Sequence, residues 1–409
     1  MPTHDPYAVL RNRDFLLYLI GRFIASLGQQ MLTVAVGWEI YNRTHEALKL
    51  GLVGLTQMLP MILFTLPAGH VADNFNRKRI ILWTNFVLAC ASGGLAVISM
   101  MQADVIWVYV CLFVAGTART FLWPASSAFL PQLVSRKEFS KAVTWNSGSF
   151  HLSSVAGPAA GGALIALTGH AASVYAINAA ASLLCLLLIG LVRSHHVVAL
   201  KEKMTASSLV AGFKFVFESK IILGTITLDL FAVLLGGAMS LLPVYAKDIL
   251  DVGPSGLGIL QAALPGGSLL CALILAHRRP LQKAGRALLW AVAGFGTATI
   301  AFGLSRSFWF SFLMLFVCGA LDNISVVVRH TLVQLLTPDT KRGRVSAVNS
   351  LFIGTSNELG GFESGFVAWL VSPVFSVVSG GVGTIVVVLI VAFLWPEIRK
   401  YGRLDAAAD

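Results

Sequence analysis

The feature that most constrains this chain is a recurring apolar stretch of about 20 residues, the length that a helix needs to cross a bilayer. Twelve such stretches lie near 16–41, 50–72, 80–101, 105–130, 142–168, 171–193, 219–246, 255–276, 287–305, 308–335, 345–371 and 373–395. Only 12% of the residues are charged, whereas soluble domains carry about a quarter. The sequence therefore predicts an all-α membrane protein with twelve transmembrane helices.

The distribution of lysine and arginine predicts how these spans are oriented. If the N-terminus is cytoplasmic, one set of loops holds Arg77, Lys78, Arg79, Arg136, Lys137, Lys141, Lys201, Lys203, Lys214, Lys220, Arg278, Arg279, Lys283, Arg286, Lys341, Arg342 and Arg344. The opposite set holds only Arg43, Lys49, Lys247 and Arg306. Because basic loops remain in the cytoplasm, both termini are predicted to be cytoplasmic. No loop is large enough to form the basic face of a nucleic-acid-binding domain, so no nucleic-acid partner is expected.

Catalytic and metal-binding patterns are not found in the sequence. The five cysteines lie inside apolar runs without a pairing or metal-ligand spacing, and the nine histidines are scattered. No GxSxG elbow or comparable catalytic spacing occurs, and the N-terminal segment is polar and charged, unlike a secretory signal peptide. We therefore expect no enzyme activity, metal or cofactor.

Two segments indicate that the chain repeats internally. The stretches "LPQLVSRKEFSKAVTWNS" (130–147) and "LVQLLTPDTKRGRVSAVNS" (332–350) both begin with a leucine and a glutamine two residues later. Both continue with a basic loop and end with Ala-Val and then Asn-Ser. This register sets Arg119 opposite Asp322. It predicts two six-helix halves, 1–193 and 219–409, joined by a cytoplasmic linker, 194–218, with an amphipathic helix. Repeated halves are typical of transporters, although a general likeness between apolar helices remains an alternative explanation.

The loop "GHVADNFNRKR" places one acid and several cations between the second and third spans. Its candidate latch residues are Gly69, Asp73, Arg77 and Lys78. We expect Asp73 to accept hydrogen bonds from a neighbouring helix N-terminus and to pair with cations such as Arg342 or Arg344. The alternative is that the cations only follow the positive-inside bias, which leaves the preceding "GxxxD" unexplained.

The fifth span contains a run of small residues, "SSVAGPAAGGAL". Its candidate motif residues are Gly157, Pro158, Gly161 and Gly162. Small side chains allow close approach to a facing helix, and a proline removes a backbone donor and allows a bend. A general packing face with a proline kink is the alternative.

Three carboxylates, Asp229, Asp322 and Glu358, lie near the middles of their spans. A charge at that depth costs on the order of 3 kcal/mol on insertion scales and marks a functional site by default. Each is either a proton-binding group or a partner of Arg119 or Arg329. Asp322 shares a helix face with Arg329, whereas Asp229 has no cation within a helical turn, so the sequence favours Asp229 for proton coupling.

A polar stripe on the first span predicts a substrate cavity. Its members recur on one helix face at Arg22, Ser26, Gln29 and Thr33, with Gln30 beside them. Further polar candidates within later spans are Arg119, Asn146 and Asn357. Such a face is expected to line water or substrate rather than lipid.

Several of these motifs resemble the major facilitator superfamily. The loop "GHVADNFNRKR" is similar to its signature loop, although Asn74 and Asn76 replace the usual Arg and Gly, and the fifth-span motif resembles that of its antiporters. Segments such as "VAVGWEIY" and "LDLFAVLLGGAMSLLPVYAKDIL" resemble the enterobactin-exporter-like branch. In "SNELGGFESG" an acid is expected where Gly361 stands, so the charge network differs there.

The resemblance implies two pseudo-symmetric six-helix bundles in a bacterial cytoplasmic membrane. It also implies export of a siderophore-like or drug-like molecule by proton antiport, with latch contacts that form when the cytoplasmic side closes. The expected partners are a small-molecule substrate, protons and lipid, and a monomer is expected. A proton-coupled symporter and a non-transporting receptor or scaffold are the alternatives.

Overall fold

Twelve long helices form the chain over residues 5, 7–193, 214–278 and 282–402, which are described by a computed structural model. They are α1 (Arg13–Thr44), α2 (Ala47–Asn74), α3 (Arg77–Met101), α4 (Val105–Leu133), α5 (Phe139–Thr168), α6 (Ala172–Gly190), α7 (Lys220–Leu235), α8 (Gly253–Ala276), α9 (Ala284–Leu304), α10 (Phe308–Leu336), α11 (Asp339–Leu370) and α12 (Pro373–Leu394). A 3-10 turn, Ala8–Arg11, precedes them, and a short helix α13, Pro396–Lys400, follows.

Eleven of the twelve, with α7 taken to Ile249, are long and apolar enough to cross a membrane. The exception is α11, which is more polar because Lys341, Glu358 and Glu363 belong to it. Its 32 residues are nevertheless more than the span requires. The predicted all-α class with twelve transmembrane helices is confirmed.

Helix α7 is interrupted where the sequence predicted a continuous span over 219–246. Its α-helical part ends at Leu235, and Ala238–Leu241 forms a 3-10 turn before Leu242–Val244 and a π-helical segment, Tyr245–Ile249. A Cβ on Gly237 would lie 2.5 Å from the carbonyl oxygen of Gly360 on α11. The break thus stands where α11 approaches the backbone, a contact that hydropathy does not report.

Contacts divide the chain into two compact units. The first comprises Met1–Glu39 and Leu59–Met204, and the second comprises Ile40–Met58 and Thr205–Asp409. The boundaries fall within α1 and α2, so the last turn of α1 and the first half of α2 group with the second half of the chain. The predicted division into 1–193, 194–218 and 219–409 stays a prediction.

Each unit has its own apolar core. In the first unit, Phe15, Ile81, Phe129, Cys185 and Ile189 are fully buried against one another, which joins α1, α3, α4 and α6. In the second unit, the core that joins α7, α9, α10, α12 and α13 contains Leu228, Leu288, Val328, Val391 and Ile398. These cores fix the helices that carry the candidate residues.

The predicted amphipathic linker helix lies largely outside the described residues. Residues 214–218 are helical, with Val216 buried and Phe217 exposed. The remainder of the predicted linker, 194–213, is not among the residues that the structure describes.

Candidate functional site

The polar stripe of α1 is partly used to hold α5. Gln30 donates from Nε2 to Ser154 Oγ at 3.1 Å. Thr33 is exposed and donates only to the Gln29 carbonyl of its own helix, at 3.1 Å. The remaining stripe residues Arg22, Ser26 and Gln29 are half-buried. Gln30 thus has a structural contact, and the other members retain partly accessible polar groups.

The small residues of α5 lie against the backbone of α1. A Cβ on Gly157 would lie 2.5 Å from Gln30 Cβ, and one on Gly161 would lie 2.9 Å from Met31 Cα. Carbon atoms prefer about 3.5–4.0 Å, so neither position tolerates a side chain without moving a helix. Pro158 and Gly162 are buried within the same helix. The motif therefore forms the close α1–α5 contact of the first unit.

Two cations of the predicted latch cap helix C-termini. Arg77 donates from Nε to the Ala72 carbonyl at 3.0 Å and from Nη2 to the Asp73 carbonyl at 3.5 Å. Lys78 donates to the carbonyls of Gly190, at 2.8 Å, and Val192, at 2.7 Å, at the end of α6. Cations are stabilised there because the last carbonyls lack helical partners and the helix dipole is negative at that end.

The latch acid, Asp73, has no side-chain partner among the described residues. The Asp73 carboxylate makes no hydrogen bond or ion pair among the described residues, and the side chains of Arg342 and Arg344 lie outside them. A Cβ on Gly69 would meet nothing within 4 Å. The predicted pairing of Asp73 stays a prediction.

Arg329 pairs with Asp229 rather than with Asp322. Arg329 Nη1 of α10 contacts Asp229 Oδ1 of α7, and the two side chains are only 3% and 9% exposed. The sequence placed Arg329 with Asp322 because they share a face of α10, but seven residues separate them by about 10 Å along the axis. Of the two alternatives that the sequence left open for Asp229, the structure contains the ion pair, and its cation comes from a neighbouring helix.

Asp322 and Glu358 differ in their surroundings within the second unit. Asp322 is half-buried at the middle of α10 and makes no hydrogen bond or ion pair with any described residue. Glu358 of α11 lies beside α2, where a Cβ on Gly54 would be 3.5 Å from Glu358 Oε2 and 2.6 Å from its carbonyl oxygen. Asp322 is thus the central carboxylate whose charge no described side chain offsets.

The other cavity candidates are dispersed over several helices. Arg119 on α4 and Asn146 on α5 are half-buried, in the first unit. Asn357 on α11 is exposed and donates to the Ile353 carbonyl of its own helix at 2.9 Å. Their assignment to a substrate cavity stays a prediction.

Sequence reasoning missed a polar cross-link within the second unit, here called the outer cross-link. It joins the end of α1 to the π-helical segment after α7. Tyr41 donates its hydroxyl to Asp248, and Lys247 donates to Asn42 Oδ1 at 2.6 Å, with His45 Nε2 at 3.5 Å. About two hundred residues separate the partners, so no local pattern could pair them.

Comparison with known proteins identifies the family. A family model described as transmembrane secretion effector, within the major facilitator superfamily, matches residues 4–407. The chain belongs to this family. The members of the transmembrane secretion effector family are transporters, so the protein is a multi-pass membrane transporter and not an enzyme.

Among curated relatives, the chain is similar to enterobactin exporters. It is 26% identical to the enterobactin exporter EntS of Citrobacter koseri over 396 residues, which cover 97% of this chain and 95% of that one. It is 25% identical to EntS of Escherichia coli O1:K1 / APEC over 390 residues, or 95% and 93% of the two chains. The match therefore includes both halves and every candidate residue.

Solved structures confirm the fold. A bacterial homologue of the human lysosomal transporter Spinster, in an inward-facing and unoccupied conformation, aligns with a TM-score of 0.76 at 16% identity and covers 96% of this chain and 98% of that chain. A POT family transporter in complex with 5-aminolevulinic acid aligns with a TM-score of 0.75 at 12% identity, over 95% and 97%. At these identities the likeness shows the fold alone.

Proposed function

We propose that this protein exports a small siderophore-like or drug-like molecule across the bacterial cytoplasmic membrane in exchange for protons, with both termini in the cytoplasm. The observation that carries export is the similarity to enterobactin exporters over nearly the whole of both chains. The close α1–α5 contact at Gly157 and Gly161 supports it, because the sequence motif there resembles that of antiporters.

Alternating access requires contacts that break when the six-helix halves rock. The outer cross-link fits this role. Helices α1 and α2 are continuous, yet their segments from Ile40 to Met58 group with the second half of the chain and not with the rest of their own helices. A rocking motion of the halves must therefore either bend these helices or release Tyr41 from Asp248. We assign release, because hydrogen bonds at a helix end break more easily than a helix does.

Proton coupling is assigned to Asp322 in place of Asp229. Asp229 is held by Arg329, so its proton uptake would leave a buried cation without a partner. Asp322 has no such partner among the residues that the structure describes and lies at the middle of α10. An exchanger needs a group whose charge is exposed to the cavity in one step and neutral in the next, and Asp322 meets that requirement without breaking an ion pair.

Transport into inverted membrane vesicles tests this proposal. Enterobactin, the substrate named for the relatives, serves as the first probe, and a cationic dye serves as the second. With an acidic vesicle interior, the wild-type protein should accumulate one of them, whereas Asp322→Asn should bind it without accumulation driven by the pH gradient. Asp322→Glu keeps a titratable group and should restore coupling.

Three outcomes would contradict the proposal. Accumulation of a probe only in right-side-out vesicles would show proton-coupled import, the symporter alternative. Wild-type coupling in Asp322→Asn would move the proton site to Glu358 or Asp229. A chain that moves no probe and binds none would support a receptor or scaffold.

A further inference from the structure

Three adjacent cations begin α3, and within the described part of the chain only two of them have partners. Arg77 and Lys78 cap the C-termini of α2 and α6. The Arg79 side chain is exposed and makes no hydrogen bond or ion pair with any described residue. The positive-inside bias explains why a cation is tolerated at this level, but it does not say what neutralises Arg79.

An aromatic side chain and an apolar groove lie next to Arg79. Trp83 is one helical turn further along α3, so the two side chains are neighbours on one helix face. Trp83 is 68% exposed, and it lines a groove of about 280 Å³ between α3 and α4. The hydroxyls of Thr84 and Thr117, which also line the groove, donate to carbonyls of their own helices. The groove therefore offers an apolar surface to its occupant.

The same pair recurs in the second half of the chain. The third and seventh residues of α3 are Arg79 and Trp83, within "RIILW", and the third and seventh residues of α9 are Arg286 and Trp290, within "RALLW". Trp290 is 77% exposed, and the Arg286 side chain is also exposed, with no hydrogen bond or ion pair among the described residues. The third helix of each half thus presents a guanidinium without a described partner one turn before an exposed indole.

We propose that each Arg–Trp pair binds an anionic phospholipid from the leaflet that borders the α2–α3 turn. The guanidinium binds the phosphate through charge-assisted hydrogen bonds. The indole lies at the level where tryptophan contacts the headgroup boundary, and at Arg79 an acyl chain occupies the α3–α4 groove. A net negative headgroup is selected because a zwitterionic one brings its own cation, which competes with the arginine. The inference does not depend on the direction of transport or on the proton site.

Native mass spectrometry of the intact protein tests this inference. The purified protein is delipidated and mixed with phosphatidylglycerol or with phosphatidylcholine. We expect the wild-type protein to retain two phosphatidylglycerol molecules. Arg79→Gln and Arg286→Gln should each lower the occupancy of one of them by about fivefold, the effect of one arginine near an anionic surface. The double variant should lose both.

Two further variants separate specific binding from general membrane attraction. Arg136 is an exposed cation on the same membrane side, but the residue four positions after it is Ser140 and not a tryptophan. Arg136→Gln should therefore bind lipid like the wild type. Val114→Trp should fill the groove and displace only the lipid at Arg79, since Val114 lines that groove.

The inference is overturned by any of three results. They are equal retention of phosphatidylcholine, an equal loss in Arg136→Gln, and unchanged occupancy in the Arg79→Gln and Arg286→Gln double variant. A loss of both lipids in Val114→Trp would show that the variant disturbs the whole protein. Trp83→Ala then provides the test of the first site and should lower the occupancy of that lipid while leaving the lipid at Arg286 in place.

Discussion

The buried ion pair between Asp229 and Arg329 gives the sharpest test of how the second unit is held together. Removing one partner leaves the other charged and buried, which typically costs about 3–5 kcal/mol. Both side chains are less than a tenth exposed, at 9% and 3%, so water cannot replace the missing partner. We therefore expect Asp229→Asn and Arg329→Gln each to lower the free energy of unfolding by this amount.

Thermal unfolding of the detergent-solubilised protein measures the effect. For a unit of this size, 1 kcal/mol corresponds to roughly 2–4 °C, so each single variant should melt roughly 6–20 °C below the wild type. The double variant Asp229→Asn/Arg329→Gln removes both charges and should be more stable than either single variant. Such non-additivity would show that the two residues act as a pair.

The chain offers an exposed ion pair in the same unit as a matched control. Lys220 Nζ and Glu397 Oε1 are 3.5 Å apart, with side chains 74% and 40% exposed. Exposed pairs contribute little because solvent screens them, so Glu397→Gln should leave the melting temperature nearly unchanged. The structural role assigned to the pair is refuted if Asp229→Asn has the melting temperature of the wild type. It is also refuted if the decreases in melting temperature of the two single variants add up in the double variant.

Three more outcomes follow from the contacts described above. Gly157→Leu should separate α5 from α1 and make export leaky or absent, whereas Gly148→Leu on the same helix, where a Cβ meets nothing within 4 Å, should transport normally; equal behaviour of the two would reduce the motif to ordinary packing. Asp73→Asn should fold and insert but transport less and expose cysteines introduced near the loop, and unchanged transport with unchanged labelling would disprove the latch. Tyr41→Phe removes the donor to Asp248 and should raise thiol labelling of a cysteine introduced nearby; labelling at the wild-type level would contradict the outer cross-link.

Sequence patterns predicted the helices because each one is encoded locally. A hydrophobic run of sufficient length requires a helix in lipid, whatever its neighbours are. The break in α7 was missed because it is not encoded locally: Gly237 stands in an apolar run, and its effect depends on the approach of α11. The caps made by Arg77 and Lys78 were missed because they join residues on different helices.

The assignment of the central carboxylates shows the limit most clearly. Along the sequence, no cation lies within a helical turn of Asp229. The fold brings Arg329 from α10 to Asp229, whereas Asp322, which shares a helix face with Arg329, has no ion-pair partner among the described residues. Spacing on one helix decides which side chains share a face, but the packing of two helices decides which of them touch.

This exchange of partners bears directly on the proposed antiport. With Arg329 paired with Asp229, an ionised Asp322 at the middle of α10 has no compensating charge among the described residues. An unpaired charge is costly in a dry membrane interior, so the ionised state is tolerated only while water or a substrate with hydrogen-bond donors reaches it. In the proposed antiport, substrate binding and proton binding therefore compete for the same carboxylate. Competition for one group is sufficient to couple the two fluxes in opposite directions, which is what an exporter driven by protons requires.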